Sequence, residues 1–192
     1  MPGLPDTRPG ATATVSVPPT AISLGFLTCL HEPSGYLGGY LLTNGWGRPL
    51  EFRLTSAVQP NRVQSILYGS TLTDYIHADL IGRTLVEKAS AQPTLIVTNE
   101  PAMLAVRSRL SIPVIGVTAE PDQPPPFGTL ALTHARCRGL ILYPETYADD
   151  RPVIEKHLAA IDDSVNLLEP FSRIKDAIAE ARKMGVASRV AA

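Results

Sequence analysis

The sequence contains few cysteines, and neither has the spacing of a metal or redox motif. Cys29 and Cys137 are the two cysteines among 192 residues, and neither belongs to a CxxC or CxxH pattern. This favours reduced thiols over a disulfide framework or a zinc finger, as in a cytoplasmic protein. We expect such thiols to act as small buried hydrophobic groups. Cys137 lies between Arg136 and Arg138, which could lower its pKa, and we predict a surface loop there.

The chain also lacks an excess of charge of either sign. Seventeen Lys and Arg residues against eighteen Asp and Glu residues leave a net charge of -1. This balance provides no bulk field for nucleic acid or an anionic membrane, although a local basic patch is compatible with it. No apolar run of about eighteen residues could span a bilayer, and no secretory signal opens the chain. We therefore expect a cytoplasmic protein without a membrane partner.

No complete catalytic or cofactor motif is present. The four histidines, at positions 31, 77, 134 and 157, lack the i, i+4 spacing of a helical metal pair. There is no Gly-x-Ser-x-Gly motif. The glycine-rich segment 35–39 leads into a predicted strand and not into a helix that could bind a phosphate, so Gly38 and Gly39 predict close backbone approach or a bulge in the strand. The sequence therefore predicts no catalytic residue, no metal and no cofactor.

Composition divides the chain into three parts. Residues 1–20 contain five prolines and too little apolar surface to offset the entropy of ordering, which predicts a flexible arm. Residues 21–148 are predicted to form a mixed α/β core. Residues 149–192 are predicted to form a C-terminal helical segment that packs on the core or on a partner.

Three β-prone segments open the core, at residues 22–30, 36–43 and 50–55. A Pro-Ser-Gly turn separates the first two, and the turn Asn44-Gly45-Trp46-Gly47-Arg48-Pro49 separates the second from the third. The third segment alternates strictly, with its apolar side chains on one face. We therefore predict a three-stranded antiparallel meander.

Helical patterns follow the meander. Asn61 is predicted to be the N-cap of a short helix that carries Val63, Ile66 and Leu67. A longer helix over residues 71–89 has an apolar stripe, with His77 among the polar residues predicted to lie off it.

A β-α-β unit is predicted next. Two apolar strands, at residues 94–98 and 112–117, are joined by a helix that opens at Asn99, Glu100 and Pro101. Two short strands, at 129–133 and 139–143, and the C-terminal helices complete the predicted order.

The order of three antiparallel strands, helices, strand, helix and strand resembles the outline of RNase H-like folds. The resemblance covers about residues 22–117 and implies, for nuclease members, two metal ions held by acids from the first strand, the first helix and the fourth strand. The first strand has no acid before Glu32. The remaining candidates are Glu51, Asp79 and Glu100, but Glu51 belongs to the third strand. Glu100 is expected in a first helical turn, where it complements the helix dipole.

Two regions remain as candidate binding surfaces. The hairpin turn places Trp46 near Arg48, a pair that could present a flat aromatic ring and a guanidinium to a partner. The second region is the strand-to-helix connection that begins at Glu51. The predicted partner-binding residues are Trp46, Arg48, Glu51, Arg53, Asn61, Arg62, Gln64 and Tyr68.

These features favour a non-enzymatic binding or assembly subunit of an intracellular complex. Its partner would be another protein or a second copy of the chain. The alternative is an RNase H-like nucleic-acid-binding protein or metal-dependent nuclease. In that alternative the predicted phosphate contacts are Arg48, Arg53, Arg62 and Arg83.

Overall fold

A computed structural model describes residues 22–121 and 124–185, in which seven strands form one mixed sheet. The strands are β1 (Ser23–Glu32), β2 (Gly35–Asn44), β3 (Pro49–Leu54), β4 (Leu95–Thr98), β5 (Val114–Val117), β6 (Thr129–His134) and β7 (Cys137–Pro144). Their order is β3-β2-β1-β4-β5-β7-β6. Strand β4 is parallel to β1 and β5, and the other neighbours are antiparallel. The predicted meander and β-α-β unit share this sheet, whereas the predicted arm lies outside the described residues.

Helices cover both faces of the sheet. Helix α1 is Arg62–Tyr68, and three segments that follow one another directly form α2, namely Leu72–Asp74, a π-helical Tyr75–Arg83 and Thr84–Glu87. Helices α3 and α4 are Arg151–Ala159 and Glu169–Lys183. The 3-10 segments are Gly69–Thr71, Pro101–Ser108 and Glu145–Asp150. No helix in the described ranges is both long and apolar enough to cross a membrane.

Side-chain hydrogen bonds to the backbone define two of the predicted local structures. In the β2–β3 turn, the Asn44 carboxamide oxygen accepts from the backbone N–H groups of Trp46, at 3.1 Å, and Arg48, at 3.0 Å. At the start of α1, Gln64 N donates to Asn61 Oδ1 at 2.8 Å and Asn61 N donates to Gln64 Oε1 at 3.0 Å. This reciprocal pair is a capping box, so the predicted N-cap at Asn61 is confirmed.

Two adjacent glycines let helices approach both faces of β2. A Cβ atom at Gly38 would overlap Ile81 of α2, and one at Gly39 would overlap Ile174 of α4. Successive residues of a strand point to opposite faces, so Gly38 allows a helix to pack closely on one face and Gly39 allows a helix to pack closely on the other. The close approach predicted for this segment is confirmed.

The C-terminal helices pack on the sheet of their own chain. Ile154 and Leu158 of α3 and Phe171, Ile174 and Ile178 of α4 are buried in one cluster with the β1 and β4 side chains of that face. Within the described residues, these helices therefore form part of the core.

One side chain of α2 faces the core against the prediction. His77 is buried, although the α-helical pattern predicted it off the apolar stripe. It lies between Ile76 and Ala78 and four residues before Ile81, and these three residues are buried as well. The buried face of α2 is therefore wider than the predicted stripe and includes His77.

Cys137 is buried and does not lie in a surface loop. It is the first residue of β7, its exposure is 6%, and its Sγ atom lies 3.5 Å from the Thr118 carbonyl oxygen. Burial raises its thiol pKa. The adjacent arginines do not reverse this shift, because Arg136 is paired with Asp163 and Arg138 is exposed.

Candidate functional site

The carboxyl-terminal ends of β1, β4 and β5 lie at one edge of the sheet. Leu27 is the last β1 residue paired with β4, opposite Thr98, and Thr98 lies opposite Gly116 of β5. Strand β1 continues past this level to Glu32. Open α/β sheets bind ligands outside the carboxyl ends of their parallel strands. We call the residues beyond Leu27, Thr98 and Gly116 the carboxyl edge.

A cleft of about 430 Å³ lies at this edge, after β4 and β5. Leu104 and Leu168 contribute to an apolar wall, while Asn99 and Glu120 bring polar groups. The Thr118 hydroxyl, also in the lining, accepts from Leu140 N at 2.8 Å and donates to the Glu120 carbonyl oxygen at 3.0 Å. The cleft therefore combines an apolar wall with an amide and a carboxylate.

Glu100 follows β4 at this edge and is half-buried. It has extended dihedrals, φ -110° and ψ 114°, and it occupies the N-cap position before Pro101–Ser108 without a side-chain capping bond. Glu100 therefore lies one residue before the first helical turn, in which it was predicted to lie. Burial raises the pKa of its carboxyl group, and the nearby His77 opposes this shift by a smaller amount.

Replacement of Glu100 by glutamine should change the pH dependence of stability. Because its pKa is raised above the ordinary 4.5, the folded protein holds a proton there that the unfolded chain has released. The free energy of unfolding should therefore fall as pH rises from 4.5 through the raised pKa. We expect Glu100→Gln to remove this fall and to be more stable at neutral pH.

Urea denaturation across the acidic to neutral range measures this effect. Glu145→Gln is the matched control, because Glu145 is exposed and should leave the profile unchanged. Parallel profiles for the wild type and Glu100→Gln would contradict the prediction.

On β1, the two residues that directly follow Leu27 are neutral. Burial, together with the charge of Glu100, raises the pKa of the Cys29 thiol to about 12, so this thiol is protonated at neutral pH. Thr28 is buried, and its hydroxyl has no hydrogen-bond partner in the described structure. Strand β1 therefore supplies a thiol and a hydroxyl here.

Three rings from β1, β2 and α2 form a contiguous group, which we call the ring column. The exposed His31 ring stacks on Tyr36 with centroids 4.4 Å apart and planes 7° apart. The Tyr36 ring meets His77 edge-on at 5.6 Å and 73°. His77 Nδ1 lies 2.8 Å from the Thr73 carbonyl oxygen.

Sequence reasoning did not identify the ring column. A signal for its outer part was present, because a tight turn at residues 33–35 places His31 opposite Tyr36 in the hairpin. The inner ring, His77, had no such signal, because its contact with Tyr36 depends on how α2 packs on the sheet.

The three acids considered for a metal site do not converge. Glu51 accepts hydrogen bonds from Ser90 N at 2.8 Å and Ser90 Oγ at 2.7 Å. The bond from the Ser90 hydroxyl and, after it, the bond from Arg53 lower the pKa of the Glu51 carboxyl group. Asp79 forms two bonds with Arg109, at 2.5 and 3.2 Å. Glu100 alone of the three lies at the carboxyl edge.

Comparison with known proteins finds similarity in structure and not in sequence. No protein-family model matches the chain, and no curated protein matches its sequence. A crystal structure of endonuclease V from Bacillus subtilis is similar, with a TM-score of 0.54 and 10% sequence identity, covering 88% of this chain and 86% of that chain. The fold is RNase H-like. At this identity the likeness concerns the fold alone, and it confirms the predicted topology.

The donors present do not fit the two-metal site expected for nucleases of the RNase H-like fold. The Cys29 thiol of β1 is neutral, and Glu51 and Asp79 are held by Ser90 and Arg109. Within residues 22–121 and 124–185, no group of three or more His, Cys, Asp or Glu is arranged to hold a metal ion.

The first group of predicted partner-binding residues lies at the opposite end of the β1–β2 hairpin. Trp46 and Arg48 follow Asn44, which pairs with the first residue of β1. Trp46 is 41% exposed and borders a cleft of about 300 Å³ with Arg173, whose Nη1 donates to the Gly47 carbonyl oxygen at 3.1 Å. Partner binding by this turn stays a prediction.

The other predicted residues occupy two further places on the RNase H-like fold. Glu51 and Arg53 of β3 form an ion pair at 2.7 Å. On α1, Asn61 and Gln64 form the capping box, Arg62 is exposed, and Tyr68 stacks on Tyr75 with centroids 4.3 Å apart. The eight predicted residues therefore belong to the β2–β3 turn, strand β3 and helix α1 with its N-cap, and their role in partner binding stays a prediction.

Proposed function

We propose that this chain binds nucleic acid at the carboxyl edge of its RNase H-like fold. The observation that carries the proposal is the structural likeness to endonuclease V over most of both chains. The name of that protein describes a nuclease, which acts on nucleic acid. The cleft after β4 and β5 lies at the edge where open α/β sheets bind their ligands.

Of the four arginines predicted to contact phosphate, one is the best candidate because it forms no ion pair within the described residues and does not lie at the opposite end of β1. Arg53 and Arg83 are already paired with Glu51 and Glu87, both at 2.7 Å. Arg48 belongs to the hairpin turn at the opposite end of β1. Arg62 is exposed, and it has no carboxylate partner in the part of the chain that the structure describes.

The helix that carries Arg62 is connected to the ring column. It starts shortly after Val58, which is hydrogen-bonded to Tyr36 of the ring column. The end of α1 stacks on α2, the helix that carries His77. These contacts support Arg62 as a phosphate contact for nucleic acid that binds beside the ring column.

The proposed role is binding without metal-dependent cleavage. Because the Cys29 thiol is neutral, β1 provides no carboxylate at this position that could bind two metal ions together with Glu100. The apolar wall, the Asn99 amide and the exposed ring of His31 are groups that bind bases and sugars without changing them.

Arg62→Ala should weaken nucleic-acid binding for all sequences alike. Loss of one phosphate contact should reduce the slope of log K against log salt by about one. Fluorescence anisotropy with labelled single- and double-stranded DNA and RNA, at several salt concentrations, measures both effects. Arg83→Ala is the matched control, because Glu87 already neutralises that guanidinium, and it should leave the slope unchanged.

The same titrations decide between the proposal and its alternatives. Failure of the wild type to bind any of the four probes would refute nucleic-acid binding. Incubation of the same probes with Mg²⁺ or Mn²⁺ tests whether the protein binds nucleic acid without cleaving it. Cleavage that is lost in Glu100→Gln would show a metal-dependent nuclease and overturn the non-cleaving role.

A further inference from the structure

We infer that the ring column is a stacking platform for an unpaired base, so that the chain selects single-stranded nucleic acid. The inference rests on the proposed function and names the substrate class for the same edge. Its basis is the geometry of His31, which is exposed and lies parallel to Tyr36 at 4.4 Å. One face of the imidazole is therefore covered by Tyr36, and an incoming base would stack on the outer face.

The platform is held rigid by contacts on both sides of the hairpin. Tyr36 N donates to the Val58 carbonyl oxygen at 2.8 Å, and Val58 N donates to the Tyr36 carbonyl oxygen at 2.7 Å. On the other side, Arg182 of α4 is bonded to Glu32 and, at 3.1 Å, to Ser34. Little ordering entropy would be lost on binding, because the rings are already in place.

The inner ring connects the platform to the rest of the carboxyl edge. His77 contacts the Tyr36 ring, and the helix that carries it packs against the 3-10 segment Pro101–Ser108, which starts directly after Glu100. Glu100 directly follows Asn99, which lines the cleft. The platform and the cleft therefore belong to one side of the molecule.

A platform of this kind distinguishes single strands from duplexes. Bases inside a duplex have both faces covered by neighbouring bases, so they offer no face to an exposed ring. Unpaired bases can stack on aromatic side chains, and such a contact tolerates any base because every base has a π-face. DNA and RNA single strands share this chemistry.

His31→Ala tests the inference, with His31→Phe as the matched control. We expect the alanine variant to bind a labelled single strand about 5- to 150-fold more weakly than the wild type. The phenylalanine variant should retain most of the affinity, because it keeps a flat ring. The salt dependence of binding should be unchanged in both, since no phosphate contact is lost.

A fluorescent base analogue reports stacking directly. A single strand that contains 2-aminopurine should lose fluorescence on binding to the wild type and to His31→Phe, but not to His31→Ala. DNA and RNA versions of the probe distinguish the two sources of the ligand. Duplexes of the same sequence should bind all three proteins alike, and unchanged thermal unfolding midpoints verify that the variants fold.

The possible failures are distinguishable. Single-strand binding that is equal in the wild type and His31→Ala would overturn the stacking platform while leaving the proposed function in place. Equal losses in His31→Ala and His31→Phe would also overturn it, because the contribution would then come from the imidazole and not from stacking. A wild type that binds no nucleic acid would refute both proposals.

Discussion

Replacement of Phe26 by alanine should destabilise the protein by about 3 to 5 kcal/mol. Phe26 lies on β1, is fully buried, and packs edge-on against Phe171 of α4, with ring centroids 5.8 Å apart and planes at 82°. Its removal would leave a cavity between the sheet and α4, because neighbouring side chains relax only partly into the space. The loss combines transfer free energy with this cavity term.

Chemical denaturation monitored by circular dichroism measures the effect of Phe26→Ala. Phe127→Ala is the matched control, because Phe127 is fully exposed and its loss should change stability by less than about 0.5 kcal/mol. Phe26→Leu should give an intermediate loss, since it fills part of the cavity. If Phe26→Ala were as stable as Phe127→Ala, the packing of α4 on β1 would be refuted.

Replacement of Asp150 by alanine should cost about 3 kcal/mol. The Asp150 carboxylate binds Arg107 through two bonds, at 2.6 and 3.0 Å, and both side chains are only 15% exposed. Arg107 also donates to the Leu110 carbonyl oxygen at 2.7 Å, and its guanidinium lies 4.2 Å from the centroid of the Tyr147 ring. Without Asp150, this guanidinium would remain buried without a counter-charge.

A double replacement distinguishes the cost of losing the Arg107–Asp150 ion pair from the cost of leaving the Arg107 charge without a partner. Arg107→Met combined with Asp150→Leu should be more stable than Asp150→Ala alone, because no buried charge is left without a partner. The control is Glu155→Ala, which removes an exposed ion pair with Arg151 and should cost less than about 1 kcal/mol. Equal losses in Asp150→Ala and Glu155→Ala would show that the Arg107 pair contributes no more than a surface pair.

Sequence reasoning succeeded where an element depends on its own residues. The alternation and turn residues of the first three strands predicted the meander, because strand pairing through short turns is a local property. The capping box at Asn61 and the Asn44 turn depend on bonds between residues at most four apart. These elements needed no knowledge of the rest of the chain.

Sequence reasoning failed where a side chain's environment depends on distant elements. Cys137, between two arginines, was predicted to lie in a surface loop, yet Asp163 binds one of these arginines and the thiol packs against Thr118. Val63, Ile66 and Leu67 have the spacing of a packed helix face, but they are 63%, 70% and 77% exposed. Spacing alone does not show whether another element covers a face.

The sequence by itself determined the order of the elements, the RNase H-like outline of the fold and the turn that contains Trp46. The tertiary structure alone decided the composition of the carboxyl edge, where His31, Tyr36, His77 and Glu100 come together from four different elements. The physical reason is that strand pairing and the packing of α2 on the sheet bring together segments that are far apart in the chain.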